Sequence, residues 1–171
     1  MRKWLAVFGS TVFLVVPGVV VGVVPWWISG WRLHAPLFGV PASRALGVLL
    51  VVLGIPVLLE SFVRFALDGL GTPAPIFPTR HLVIRGPYRY VRNPIYLAGV
   101  SIILGQAGIL GNLNLMAYAL LVWLGMHAFV ILYEEPTLRE SFGAQYDGYC
   151  AAVPRWVPRR PALRLGAGSS H

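Results

Sequence analysis

Charge of either sign is scarce in this chain. Of its 171 residues only 6 are Asp or Glu and 14 are Lys or Arg, together 12%, where a soluble domain carries about 25%. That shortage excludes an ordinary water-facing surface. Cysteine is reduced to Cys150, which cannot make an internal disulfide and reads as a structural residue. No group of Cys, His, Asp or Glu has metal-ligand spacing, so no metal is expected, and no phosphate-binding glycine loop is present. The basic excess, a formal charge of +8, flanks apolar runs instead of forming a separate basic domain. It therefore points away from nucleic acid and toward anionic lipid headgroups.

Apolar length is what the chain does have. Hydrophobic residues make up 57% and the mean hydropathy is +0.70, the composition of an integral membrane protein. The expected fold is all-α: a polytopic membrane protein of about four transmembrane helices, including a helical hairpin, plus a cytoplasmic interfacial C-terminal helix. Residues 1–165 form one domain, and 166–171, reading GAGSSH, are a disordered tail or a cloning scar. The first span, 4–24, follows Arg2 and Lys3 and ends in PWWISGW without a small-residue cleavage site, so it is expected to be retained. Its charged start puts the N-terminus in the cytoplasm, with Trp26, Trp27 and Trp31 at the far interface. A second span, 45–67, is interrupted by Pro56 and carries Glu60 and Arg64 one helical turn apart, able to pair or to line a polar cavity.

Residues 95–110 and 113–133, joined at Gly111 and Asn112, read as the hairpin. His127 lies in its second arm and is expected to be a packing residue. Pro136 suits the first turn of a further helix, in which Leu138, Phe142, Tyr146, Tyr149 and Val153 share one face. That helix is expected to lie on the headgroups, anchored by Trp156, Arg155, Arg159 and Arg160.

Polar chemistry is concentrated in RHLVIRGPYRYVRNPIY, residues 80–96, with four arginines, one histidine, three tyrosines and one asparagine. In so apolar a chain these groups must face water, headgroups or a protein cavity. The arginines place this loop on the cytoplasmic side, and the hairpin returns Glu134 and Glu135 to the same side. A composite site follows. Carboxylates, arginines and tyrosines around a Gly-Pro turn suit a small polar cofactor with ammonium, carboxylate and sugar hydroxyls.

GPYRYVRNPIYLAG, followed one helical hairpin later by EEPTLRESFGAQYDGYCAAVPRW, resembles the isoprenylcysteine carboxyl methyltransferase and phospholipid methyltransferase group of integral membrane enzymes. The resemblance covers residues 78–158; the first two helices match by hydropathy alone. It implies S-adenosylmethionine as cofactor and a lipophilic acceptor, a lipid amine or a prenyl-type carboxylate, entering from the bilayer. Carried over, it assigns His81, Leu82 and Val83 to the adenosyl part and Gly86, Pro87 and Tyr88 to the turn beneath. Arg92, Asn93 and Tyr96 would face the reacting end, Glu134 and Glu135 would bind cofactor, and Arg139 would lie on the acceptor side. The chain departs from the isoprenylcysteine enzymes at Asn93-Pro94, where they commonly carry His-Pro, so no histidine-dependent step carries over there.

The implied setting is the inner or plasma membrane of a prokaryote, with N-terminus, active site and C-terminus in the cytoplasm. His81, His127 and the two glutamates are all open as general bases. Two rivals stand beside this reading: an NADPH-dependent membrane sterol or lipid reductase, and a non-catalytic membrane binding protein whose arginines only set topology.

Overall fold

A computed structural model describes residues 15–69 and 82–160, with side chains from 65 to 69 excepted. Arg2, Lys3, the start of the first span, His81 and the 166–171 tail lie outside the described residues. Every regular element among the described residues is helical, and none is a strand.

Helix α1 covers Val15–Ser29 and passes through a π-helical stretch at Val19–Val23. Side chains from later helices reach the carbonyls of this stretch: Gln106 Nε2 donates to Val21 O at 2.7 Å and Tyr118 Oη to Val20 O at 3.0 Å. In an apolar surrounding such bonds are strongly favoured over leaving the groups unpaired. Gly30, in the left-handed region at φ 55°, ends the helix, which continues past the expected boundary at 24.

Helix α2, Ala42–Gly69, runs unbroken through Pro56, where an interruption was expected. Proline removes one backbone hydrogen bond, but ending the helix would free several more groups with no water to take them. Helix α2 packs against α3, Pro94–Leu110, through glycines. A Cβ on Gly47 would stand 2.6 Å from Gly105 O, and one on Gly105 would stand 2.6 Å from Val51 Cγ2. Small residues are what allow two backbones to come this close.

Gly111 at φ 68° and Asn112 turn the chain into α4, Leu113–Phe129. Asn112 Oδ1 accepts from the amides of Asn114 at 3.0 Å and Leu115 at 3.2 Å, closing the expected hairpin with a side-chain cap. A π turn, Val130–Glu134, then leads directly into α5, Glu135–Phe142. Such turns re-aim side chains, and this one ends on the two glutamates.

The amphipathic helix expected after Pro136 is two helices, because Gly143 at φ 51° breaks it before α6, Ala144–Ala152. Its apolar face does not lie open to headgroups either. Tyr146, Tyr149 and Val153 form a core with Leu138, Phe142 and two residues of the preceding strap, Leu82 and Ile84.

Among the described residues, two helical rods are long and apolar enough to cross a membrane: Ala42–Arg64 of α2 and the continuous Leu113–Phe142. Only 22% of the most apolar stretch of α2 is buried, so it is not the core helix of a soluble protein. Leu49 and Leu121 are among the side chains left outward. The described part of α1 and the 17 residues of α3 are shorter.

Candidate functional site

Residues 82–93 form a strap that crosses between the α2–α3 pair and the C-terminal helices. Gly86 turns it at φ 58° into a single 3-10 turn, Gly86–Arg89. Tyr149 Oη donates to Tyr88 O at 2.7 Å, Arg92 N to Pro154 O at 2.9 Å, and Arg159 N to Tyr90 O at 3.0 Å. The strap and the C-terminal segment are thereby held to each other along their length.

Two adjacent glutamates face two different environments beneath it. Glu135, 8% exposed, accepts from Arg155 twice, at 2.6 Å from Nε and 2.9 Å from Nη2. Its Oε1 also lies 3.2 Å from Arg92 Nη1. Burial alone would raise its pKa, but the Arg155 hydrogen bonds and the charges of Arg92, Arg155 and Arg139 outweigh it and hold the carboxyl below its ordinary value. Glu134 has no basic partner among the described residues; its Oε2 accepts from Tyr96 Oη at 3.0 Å. About 20 helical residues suffice to cross a hydrocarbon core, so residues 113–132 of the Leu113–Phe142 rod are long enough alone, and Glu134 and Glu135 follow them. Burial pushes its pKa up against the lowering effect of the Tyr96 bond, and the neighbouring Glu135 charge adds to the rise. Burial likewise raises Tyr88, with the charges of Glu134 and Tyr149 contributing.

Most of the residues assigned from sequence fall into this region. Tyr96 and Glu134 form one pair, and Tyr88 is held through its carbonyl by Tyr149; Arg92, Asn93 and Glu135 form a second group with Arg155 and Cys150, whose Sγ contacts Arg92 Nη1. Leu82 and Val83 are packed inward, and Gly86 and Pro87 line a groove bordered by α2 and α3. His81 lies outside the described residues. Arg139 stands apart on the exposed rim, 2.9 Å from Asp147 Oδ1 and over the Tyr146 ring.

Asn93 occupies the N-cap position of α3, yet its side chain caps nothing. Its Nδ2 donates instead to Arg155 O at 3.2 Å. Two expected headgroup anchors are also engaged within the protein: Arg155 by Glu135, and Trp156, whose Nε1 donates to His127 Nδ1 at 3.0 Å. His127 in turn stacks on Trp123 at 5.1 Å, the packing role expected of it. Sequence reading missed Arg155 as a site residue because it lies 20 positions from Glu135 and belongs to no helical register. The one available signal was an arginine following directly on the VP that ends the last helix.

The donor set suits a ligand of mixed charge. Arg92 Nε is buried with no hydrogen-bond partner among the described residues, and Glu134 is a partly buried carboxylate without a cation beside it. A ligand carrying both a cationic and an anionic group complements that pair, and tyrosine rings favour the cation further. Among the described residues, no His/Cys/Asp/Glu group could hold a metal ion.

Among the described residues, strap, helical hairpin and glutamate pair define an all-helical architecture of membrane type. The chain belongs to the phospholipid methyltransferase family, whose sequence model matches residues 42–145, from the start of α2 into α6. It is also similar to protein-S-isoprenylcysteine O-methyltransferase B of Arabidopsis thaliana, 37% identical over 78 residues. That match spans 45% of this chain and 39% of the plant protein's length.

Proposed function

We infer that this protein is an integral membrane methyltransferase that moves a methyl group from S-adenosylmethionine to a lipophilic acceptor entering from the bilayer. The observation that carries the reading is the Tyr96–Glu134 pair set beside the Arg92–Glu135–Arg155 cluster, with every member except Arg155 inside the segment matched to the family. Four crossings, with the strap and C-terminus on the cytoplasmic face, fit this reading: the positive-inside bias places Arg85, Arg89 and Arg92 there.

The cofactor, when bound, supplies an electrophilic sulfonium methyl, so the chain itself has little acid or base chemistry to perform. Glu134 and the tyrosine rings would favour the cationic group, and Arg92 the carboxylate. The strap and α6 would exclude water, and the fixed geometry would hold the acceptor at attack distance, the largest contribution a protein can make to such a transfer. A radiolabelled S-adenosylmethionine assay with a total lipid extract tests this: label is expected in a lipid-soluble product. Label that stays in the aqueous phase, with S-adenosylhomocysteine failing to bind, would overturn it.

A further inference from the structure

Beside the turn at Gly86 and Pro87, helices α2 and α3 border a groove of about 730 Å³. Its volume lies within the range of roughly 300–1,000 Å³ typical of sites for one small ligand. Its long walls are apolar, formed by Leu50, Leu53 and Val57 of α2 and Leu97 of α3. One end is charged. There Glu60, Arg64 and Arg89 line the groove, beside the turn at Gly86 and Pro87.

These three charges are not balanced. Glu60 Oε1 lies 3.8 Å from Arg64 Nε, a loose pair whose side chains are 53% and 41% exposed. At that distance and exposure the pair contributes little to stability, which leaves its retention in an apolar helix unexplained by folding. Arg89 is exposed and has no partner among the described residues, so the end of the groove carries a net positive charge. The backbone at Gly86 is pressed against the pair: a Cβ there would stand 3.0 Å from Arg64 Cγ and 3.1 Å from Glu60 Oε1. Whatever occupies the charged end therefore touches the turn of the strap.

We propose that this groove seats a single-chain amphiphile with an anionic head, its chain along Leu50, Leu53, Val57 and Leu97 and its head on Arg64 and Arg89. Glu60 acts as a positioning residue that keeps Arg64 turned toward the head. Charge complementarity selects the ligand: an anion meets two guanidiniums, whereas an ammonium would meet one carboxylate already facing Arg64 and an uncompensated Arg89. The inference rests on the methyltransferase reading only in naming this ligand as the acceptor class; the binding claim stands on the groove itself.

Native mass spectrometry of the full chain in a neutral maltoside detergent tests it, with oleate, oleyl alcohol and oleylamine as probes at alkaline pH, where the carboxylate is ionised. Oleate is expected to be retained roughly tenfold better than either analogue, the scale of one charge-assisted contact. Arg64→Gln with Arg89→Gln should abolish that preference, and Leu53→Trp should reduce retention of all three probes. Equal retention of the three by the unaltered protein, preference for the amine, or a preference that survives the double substitution would overturn the proposal. If the double variant does not fold, the order among probes and the Leu53→Trp result still decide. S-adenosylhomocysteine is titrated in parallel. Its binding without amphiphile selectivity removes the groove and leaves the enzyme reading, and selectivity without its binding does the reverse.

Discussion

Glu134 and Glu135 are adjacent in sequence and held in opposite ways: Glu135 Oε1 sits 2.6 Å from Arg155 Nε, while Glu134 Oε2 accepts only from the neutral Tyr96 hydroxyl, at 3.0 Å. The π turn that precedes them makes this possible by directing neighbouring side chains to different partners. One carboxylate is thus tied into the fold by two arginines, and the other has no charged partner among the described residues.

Substitution separates the two roles. Glu135→Gln leaves Arg92 and Arg155 without their counter-charge and should cost about 3 kcal/mol, the scale of breaking a buried pair. Glu134→Gln removes a carboxylate whose burial is unfavourable, so the melting temperature should hold or rise while S-adenosylhomocysteine binding weakens at least tenfold. Thermal melting in detergent and calorimetric titration read both. Equal destabilisation by the two variants would remove the distinction.

The acid limb of stability should belong to Glu135. Its folded pKa is depressed, so its contribution is fully present above the ordinary carboxylate value of 4.5 and is lost as pH falls through the lower folded value. The melting temperature of the native protein should therefore drop more steeply below that pH than that of Glu135→Gln. For Glu134 the sign reverses: its pKa is raised, so stability falls as pH rises from the ordinary carboxylate value of 4.5 to the raised value and is level beyond it, and Glu134→Gln should remove that fall.

Asn93→Asp should lower both stability and activity. Aspartate would serve as well as asparagine if the side chain capped α3, but here an amide donor to Arg155 O at 3.2 Å is replaced by a carboxylate facing a carbonyl. The expected loss is about 1–3 kcal/mol, with methyl transfer largely abolished. An unchanged melting temperature would show that the link to Arg155 is energetically idle.

Packing of α2 on α3 gives a prediction independent of function. Gly105→Ala would place a Cβ 2.7 Å from the Gly47 carbonyl, which is backbone and cannot swing aside, so the helices must separate at a cost of about 1–3 kcal/mol. Gly125→Ala in α4 meets nothing within 4 Å and should be neutral or slightly stabilising. Melting of the two variants side by side checks this.

Much of the architecture was legible because it rests on local rules. Apolar runs gave α2 and the hairpin, and Gly111 with Asn112 gave its turn, because hydropathy and turn chemistry act over a few residues. Boundaries were less legible: Pro56 reads as a break in any sequence, and only an environment without water makes the unbroken helix the lower-energy choice. The break at Gly143 was missed for the converse reason. The apolar period continues across it, while the backbone turns so that both halves can pack on Leu82 and Ile84.

The sequence by itself determined that this protein is helical, apolar on its outside, and provided with one polar stretch and one glutamate pair whose residue types limit the chemistry. Only the tertiary structure decided what each polar group does. Arg155 became the partner of Glu135, Asn93 a tie to Arg155, and Trp156 a tie to His127, although Arg155 and Trp156 read locally as headgroup anchors. The physical reason is that a buried charge or amide must be satisfied by whatever the fold brings near it, and in this fold the partners arrive from 20 to 62 residues away.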